Sequence, residues 1–471
     1  MKIAFIYPPF HPKLFNENLS FVDEHFGCFP NLGLAYASAV ARQWGAEVRI
    51  WDAVALNLSR ERVLKEVQEF SPDLLAFTVH AVTSFWDMMP WMEYLKQNTG
   101  LPVLIGGHEV PAYLAEIMSH PVIDYAVQGE ALLYLPPFLD AFSKQSGYSQ
   151  LQGFARRERG ELKAAPLREE RLPFDRYPFP ARDLLPNDKY FSHVSQRKNF
   201  TIIMSSVGCP FGCSFCALSK SGFSARSVES VLSEMKECYE RYGIREFDFF
   251  DPLMLYDRQR AIDLARGIKQ AGWDIFWSCR SRVDVVDEKL LEELAESGCV
   301  RIFYGIESAS PTVLKKMKKG IDPARVKRVI AKSAEVGIRP LGFFQIGAPG
   351  ENRETVKETV KFALSLPLDY AQFLRTIAKP NSELEEQVNQ LLGYDYWREY
   401  VKGKAPEMRL PAPWTELSPR EVEKLTQWAY LKFYTRPRYA LKMLSRLRSW
   451  SELARYLRVG FKMMGFKGSQ E

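Results

Sequence analysis

A chain of 471 residues is too long for one ordinary hydrophobic core and implies two or three domains. With 46% hydrophobic and 25% charged residues it is excluded from the disordered class, and no stretch approaches the roughly 18 apolar residues of a membrane span. The net charge of +6 is modest, the seven cysteines suit a reducing compartment, and prolines come too early for a secretory leader, so a cytoplasmic location is expected.

The chain opens with a strand at 2–7, an amphipathic helix at 32–45 and a strand at 47–51 that ends at Asp52. A strand at 74–79, a helix at 84–96 and short strands at 103–105 and 124–127 follow, the last before Gly129-Glu130. This alternation predicts a doubly wound α/β sheet over 1–145, with its ligand at the carboxyl ends of the strands. No G-x-G-x-x-G turn is present, which argues against a dinucleotide. Residues 146–198 read as a linker: a polar hairpin around Arg159-Gly160-Glu161, then the proline-rich, extended run 172–180.

Next come six strand patterns, at 201–207, 246–250, 274–279, 300–306, 339–346 and 370–377. Helical spacing at 228–242, 258–271, 288–297, 323–336 and 355–366 separates them. Six βα units predict a partial TIM-type barrel, (β/α)6, over 199–385, with its chemistry at the carboxyl edge. Polar residues stand where those strands end, among them Asp251, Arg280, Arg282, Glu307 and Gln345.

Residues 386–471 read as a basic helical region. From 431 onward ten Lys/Arg face two acidic residues, interleaved with Met443, Leu447, Trp450, Leu453, Leu457, Phe461 and Met464. Such helices fit an anionic membrane surface, here the inner face, or a packed helix with a solvated basic side. Nucleic acid ranks below both, since no RNA-binding module accompanies the segment.

Cys209, Cys213 and Cys216 follow the first barrel strand in the spacing C-x3-C-x2-C. Three thiolates and no fourth suit a [4Fe–4S] cube with one iron left open. A structural zinc site wants four ligands, and no second C-x2-C or H-x3-H pair occurs in the chain. Cys28, Cys238, Cys279 and Cys299 have no partner pattern and read as small buried residues.

The loop, with Phe215 before its last cysteine, resembles that of the radical S-adenosylmethionine (SAM) superfamily. The resemblance implies that the open iron chelates SAM. One electron, delivered by a donor such as flavodoxin or ferredoxin, then yields a 5′-deoxyadenosyl radical that abstracts hydrogen from unactivated carbon. It also implies SAM contacts from Ser278, Arg280, Glu307, Gln345 and Gly347, the last near adenine. The plain alternative for each is an ion pair or a helix cap. Asp251-Pro252-Leu253-Met254 departs from the Asp-Asp-x-Phe that relatives show after the second strand.

Pro8-Pro9, the run 30–34, Gly106-Gly107-His108 and the run 127–130 resemble the cobalamin-binding domain that precedes the barrel in one large radical SAM class. The implied cobalamin contacts are Thr78, His80, Thr83, Ser84, Gly106, Gly107, Gly129 and Glu130. An axial D-x-H-x-x-G motif is missing; Asp23-Glu24-His25-Phe26-Gly27 comes one residue short. His25 stays a candidate ligand beside the histidine-free binding that the class also uses. The whole resemblance implies methyl transfer to an unactivated carbon of a hydrophobic or lipid-like small molecule. Oxidative cyclisation or hydroxylation is the second reading, and a non-catalytic SAM- or cobalamin-sensing module the third. A methylthiotransferase is disfavoured, because only Cys28 is available of the three further cysteines its first domain would need.

Overall fold

The computed structural model describes residues 1–9, 27–79, 81–167, 174–405, 410–437 and 439. Apolar runs such as Ile3-Ala4-Phe5-Ile6 are buried on both faces, as a parallel sheet covered by helices requires. Strands β1 (Lys2–Tyr7), β2 (Glu47–Asp52), β3 (Leu74–Thr78), β4 (Val103–Gly107) and β5 (Tyr125–Gln128) run parallel in the order β2-β1-β3-β4-β5. The order reverses between β1 and β3, and the crevice above that pair is where doubly wound sheets take their ligands.

The sheet continues past residue 145. Strands β6 (Phe154–Glu158) and β7 (Glu161–Ala164) add to its edge antiparallel. The hairpin read from sequence as part of a linker is therefore the rim of the first sheet, because Phe154 and Ala155 bury against its core. The outermost strand is exposed along its length, and a Lys163–Glu161 pair blunts it against further pairing.

The second sheet carries the expected six parallel strands in chain order: β8 (Phe200–Ile203), β9 (Glu246–Phe249), β10 (Phe276–Ser281), β11 (Cys299–Glu307), β12 (Arg339–Ile346) and β13 (Tyr370–Arg375). Ser227, Asp257 and Asp287 start three of the outer helices, each accepting from the backbone N–H three residues on. Two details differ from the sequence pattern. Strand β8 stops at Ile203, and Ser206–Val207 pairs antiparallel with Ser224–Ala225 to close the base of the cysteine loop. Ser308-Ala309-Ser310 leads into an extra short helix, Pro311–Lys316, with proline in its first turn.

Buried charge joins the two sheets. Arg182, from the connecting segment, pairs with Glu234 at 2.6 Å, and Arg226 pairs with the same carboxylate. Arg182 also donates to Thr201 Oγ1 at 2.7 Å, while Arg42 on the helix Leu32–Trp44 makes a two-pronged pair with Asp183. Leu32, Ala35 and Tyr36 of that helix share an apolar cluster with Leu185, Tyr190, Phe200 and Ile202.

The region after the barrel turns back on the first domain. Leu384, Val388, Trp397 and Val401 lie in one core with Phe85, Met92 and Ile117. Trp86 Nε1 donates to Tyr400 O at 2.8 Å, and Arg398 pairs with Glu116 at 2.9 Å. The helix Pro419–Tyr434 then returns to the barrel, where Tyr430 and Phe433 pack on Phe373. The first half of the region read as basic and helical is thus a brace between domains. The basic amphipathic stretch beyond residue 440 lies outside the described residues, as do His25 and His80.

Candidate active site

The cysteine loop is fixed at its foot before it reaches the cysteines. Asp251 is fully buried and accepts from Ser205 N at 2.7 Å, Ser205 Oγ at 2.5 Å and Ser206 Oγ at 2.6 Å. Asp251, the position that this segment shares with the relatives' pattern, therefore anchors the loop, and the departures begin at Pro252. Higher up, Lys220 N donates to Phe211 O, Cys216 N to Cys213 O, and Cys209 N to Ser221 Oγ. Cys213 is buried, Cys209 and Cys216 are half-buried, and all three are free thiols. Burial pushes the Cys213 thiol up, and the Lys319 and Arg282 cations pull it back. Phe215 packs on the barrel cluster of Met317 and Ala348 and also on the core that the first domain shares with residues 378–414, so the loop sits at the seam.

Glu307 ends β11 beside this loop. Its φ is +69°, a left-handed conformation that costs a non-glycine residue about 1–3 kcal/mol and marks functional sites. Lys319 Nζ holds Glu307 Oε1 at 2.9 Å, with both side chains buried. Gly305 makes space for that pair: a Cβ there would lie 2.6 Å from Glu307 Oε1 and 2.7 Å from Lys319 Nζ. The other oxygen, Glu307 Oε2, is buried without a partner. It is an acceptor awaiting a donor.

Ser278 and Arg280 form one network on β10. Ser278 Oγ donates to Asp248 Oδ1 at 2.9 Å, and both terminal nitrogens of Arg280 meet Asp248 at 3.0 Å. The Arg280 guanidinium also covers the Phe250 ring at 3.9 Å. Gln345 accepts from Thr376 Oγ1 at 3.1 Å. At Gly347 both backbone groups already have partners: N–H donates to Glu351 Oε2 at 2.6 Å, and the carbonyl accepts from Trp414 Nε1 at 2.8 Å. Burial pushes the Glu351 carboxyl up to about 7, and its second oxygen has no partner.

The first domain presents a different edge. Thr78, Gly106 and Gly107 end β3 and β4, and Gly129 follows β5. Gly107 has φ +146°, and a Cβ there would stand 2.2 Å from Val79 O, so no other residue fits. Thr83 O accepts from Tyr400 Oη, Ser84 Oγ donates to Ala81 O, and buried Glu109 takes Val82 N at 2.6 Å. These bonds shape the loop after β3. Glu130 is exposed at the start of the helix Ala131–Lys144.

Asp248, Lys319 and Glu351 are not singled out by the sequence pattern, which marks Arg282 as a strand-end residue without a role. An acid inside the apolar run Phe247-Asp248-Phe249 was the available signal for the first. Lys319 closes the basic run 315–319, which reads as a solvated face. Among the described residues no three His, Cys, Asp or Glu side chains converge on a single metal ion. A cube makes no such demand, because each of its irons takes its own thiolate. Three free thiols on one pinned loop fit the cluster, and the unpaired Glu307 oxygen fits a cationic ligand beside it. The glycine and hydroxyl edge fits a large, flat cofactor held by area and backbone.

Together these features define a radical SAM enzyme that carries a cobalamin domain in front of its barrel. Residues 203–363 match the radical SAM superfamily, and residues 21–135 match the B12 binding domain. The chain is 35% identical over 421 residues to an uncharacterised methyltransferase, PH0819, of Pyrococcus horikoshii, covering 88% of this chain and 89% of that relative. It is 25% identical over 400 residues to the anaerobic magnesium-protoporphyrin IX monomethyl ester cyclase of Rubrivivax gelatinosus, covering 82% and 70%. The solved cobalamin-dependent SAM radical enzyme OxsB shares the fold, with a TM-score of 0.72 at 16% identity over 98% of this chain and 71% of that one. The chain belongs to the cobalamin-dependent radical SAM methyltransferase family. Its cofactors are a [4Fe–4S] cluster, SAM and cobalamin, and it acts on a small molecule with the help of a reductant. Among the described residues no helix is long and apolar enough to cross a membrane.

Proposed function

We propose that this enzyme methylates an unactivated carbon of a hydrophobic small molecule. When bound, the cluster with SAM supplies hydrogen abstraction and cobalamin supplies the methyl group. Cys209, Cys213 and Cys216 would hold the cluster. Glu307 Oε2 would accept from the SAM ammonium, with Ser278, Arg280 and Gln345 around the rest of SAM and Gly347 shaping the turn beside it. Thr78, His80, Thr83, Ser84, Gly106, Gly107, Gly129 and Glu130 would line the cobalamin, and His25 is a candidate for its cobalt. The corresponding division is a cobalamin domain from residue 1 through the hairpin that ends at 164, a connector from there to 198, a SAM barrel at 199–385 and a C-terminal region from 386.

The observation that carries the reading is the free three-cysteine loop at the seam, with the unpaired Glu307 oxygen next to it. Anaerobic reconstitution with cobalamin and methyl-labelled SAM tests it. Label in the product and formation of 5′-deoxyadenosine are expected; deoxyadenosine with an unlabelled, oxidised product would favour cyclisation. That second reading is supported by the 25% identity to the cyclase.

Flavodoxin or ferredoxin is the proposed reductant. The basic stretch from 431 supports a lipid-like substrate and a cytoplasmic enzyme docked at the inner membrane face. Truncation after Thr435 should then lower binding to anionic liposomes while the cluster spectrum persists; unchanged partitioning would remove this part of the proposal.

A further inference from the structure

Arg282 follows β10 and is only 6% exposed. Every edge of its guanidinium is engaged. Nε and Nη2 hold the Asp284 carboxylate at 2.9 and 2.7 Å, and Nη2 also donates to Lys319 O. The guanidinium carbon lies 3.9 Å from the centre of the Phe211 ring, between Cys209 and Cys213 in the loop. The remaining nitrogen, Nη1, donates to Cys213 Sγ at 3.4 Å. A planar fork fixed by an acid on one edge and a ring against its face cannot swing away from the sulfur.

The neighbouring cations serve otherwise. Lys319 is paired with Glu307, and Arg280 is paired with Asp248. Arg282 is therefore the cation whose donor is spent on a cysteine of the loop, and no nitrogen edge is left over for a substrate carboxylate.

We propose that Arg282 is a positioning residue that raises the reduction potential of the cluster held by Cys213. The inference rests on the reading of Cys213 as a cluster ligand. Hydrogen bonds to cluster sulfurs and nearby net charge set the potentials of such clusters. Reduction adds one electron, taken from the external donor, and a charged N–H aimed at the thiolate favours the more negative state. The residue thereby eases the electron's arrival without touching the reacting carbon.

The test is a potentiometric titration of the full-length, reconstituted protein without SAM, followed by the electron paramagnetic resonance signal of the reduced cluster. Arg282→Gln should lower the ratio of reduced to oxidised cluster tenfold or more at a given potential, a midpoint fall of at least about 59 mV for one electron, at unchanged iron and sulfide content. Arg282→Lys, which keeps the charge and loses the fork, should fall between. Midpoints equal to wild type in both variants would overturn the proposal. Should the Gln variant take up no cluster, the Lys variant decides alone, and a wild-type midpoint there overturns it. Wild-type protein that assembles no cluster would instead sink the underlying ligand assignment, an outcome visible before any variant is made.

Discussion

The two cofactor edges of this molecule are built from opposite chemistry. At the barrel edge charge is buried and paired: Glu307 with Lys319, Arg280 with Asp248, and Arg282 with Asp284. At the edge of the first domain β3 and β4 end in Thr78, Gly106 and Gly107, and Gly129 follows β5. Fixed charges act strongly where water is excluded, so the barrel edge suits a small, charged ligand and its cluster. The bare edge offers backbone and area, which suits a large ring. Phe215 packs on the barrel and on the core that the first domain shares with the brace from Glu383 to Val401.

Breaking the charged edge should have the largest effect. Cys213→Ala should abolish cluster uptake and 5′-deoxyadenosine formation, read by iron content and chromatography, while cobalamin binding persists. Loss of cobalamin in the same variant would mean that the edges are not separable. Breaking the joint comes next. Glu234→Ala leaves Arg182 and Arg226 buried without their carboxylate and should cost about 3–5 kcal/mol in urea unfolding.

The bare edge should yield to Gly107→Ala. Its positive φ and the clash with Val79 O should cost about 1–3 kcal/mol and weaken cobalamin retention, with the cluster spectrum unchanged.

A pH test addresses the brace. Burial raises the Glu385 carboxyl to about 7, and Tyr113 of the first domain donates to it at 3.1 Å. The folded protein keeps a proton that the unfolded chain loses at lower pH. This carboxyl's favourable contribution is therefore full below the unfolded value and is lost as pH rises through about 7. Between pH 5 and 8 the wild type should lose about 2 kcal/mol more than Glu385→Gln. Parallel pH profiles for the two proteins would exclude this role.

The smallest effect belongs to Arg42→Ala. The Arg42–Asp183 pair is partly exposed, and its removal should cost below about 1 kcal/mol and fade with salt.

Much of the architecture was legible because it is written locally. Apolar runs separated by helical spacing, with Ser227, Asp257 and Asp287 at helix starts, mark out the six-strand barrel residue by residue. The cysteine spacing is equally local, and it carries the cluster chemistry by itself. The hairpin at 154–164 misled because a polar outer strand looks the same whether it borders a sheet or crosses a linker.

The pairings across the chain were not legible. Trp86 meets Tyr400 across 314 residues of sequence, and Tyr113 meets Glu385 across 272. Arg280 and Arg282 sit two residues apart in one polar strand end, alike as letters. One is given to Asp248 and the other to Cys213, because Arg280 lies within β10 beside β9, whereas Arg282 lies past its end, where the chain enters the turn Val283–Val285. The sequence by itself determined the two domain types, the three thiolates and the cofactors they imply. Only the tertiary structure decided which charges are neutralised, which oxygen of Glu307 stays free and which cation faces Cys213, since those depend on segments distant in sequence being brought side by side.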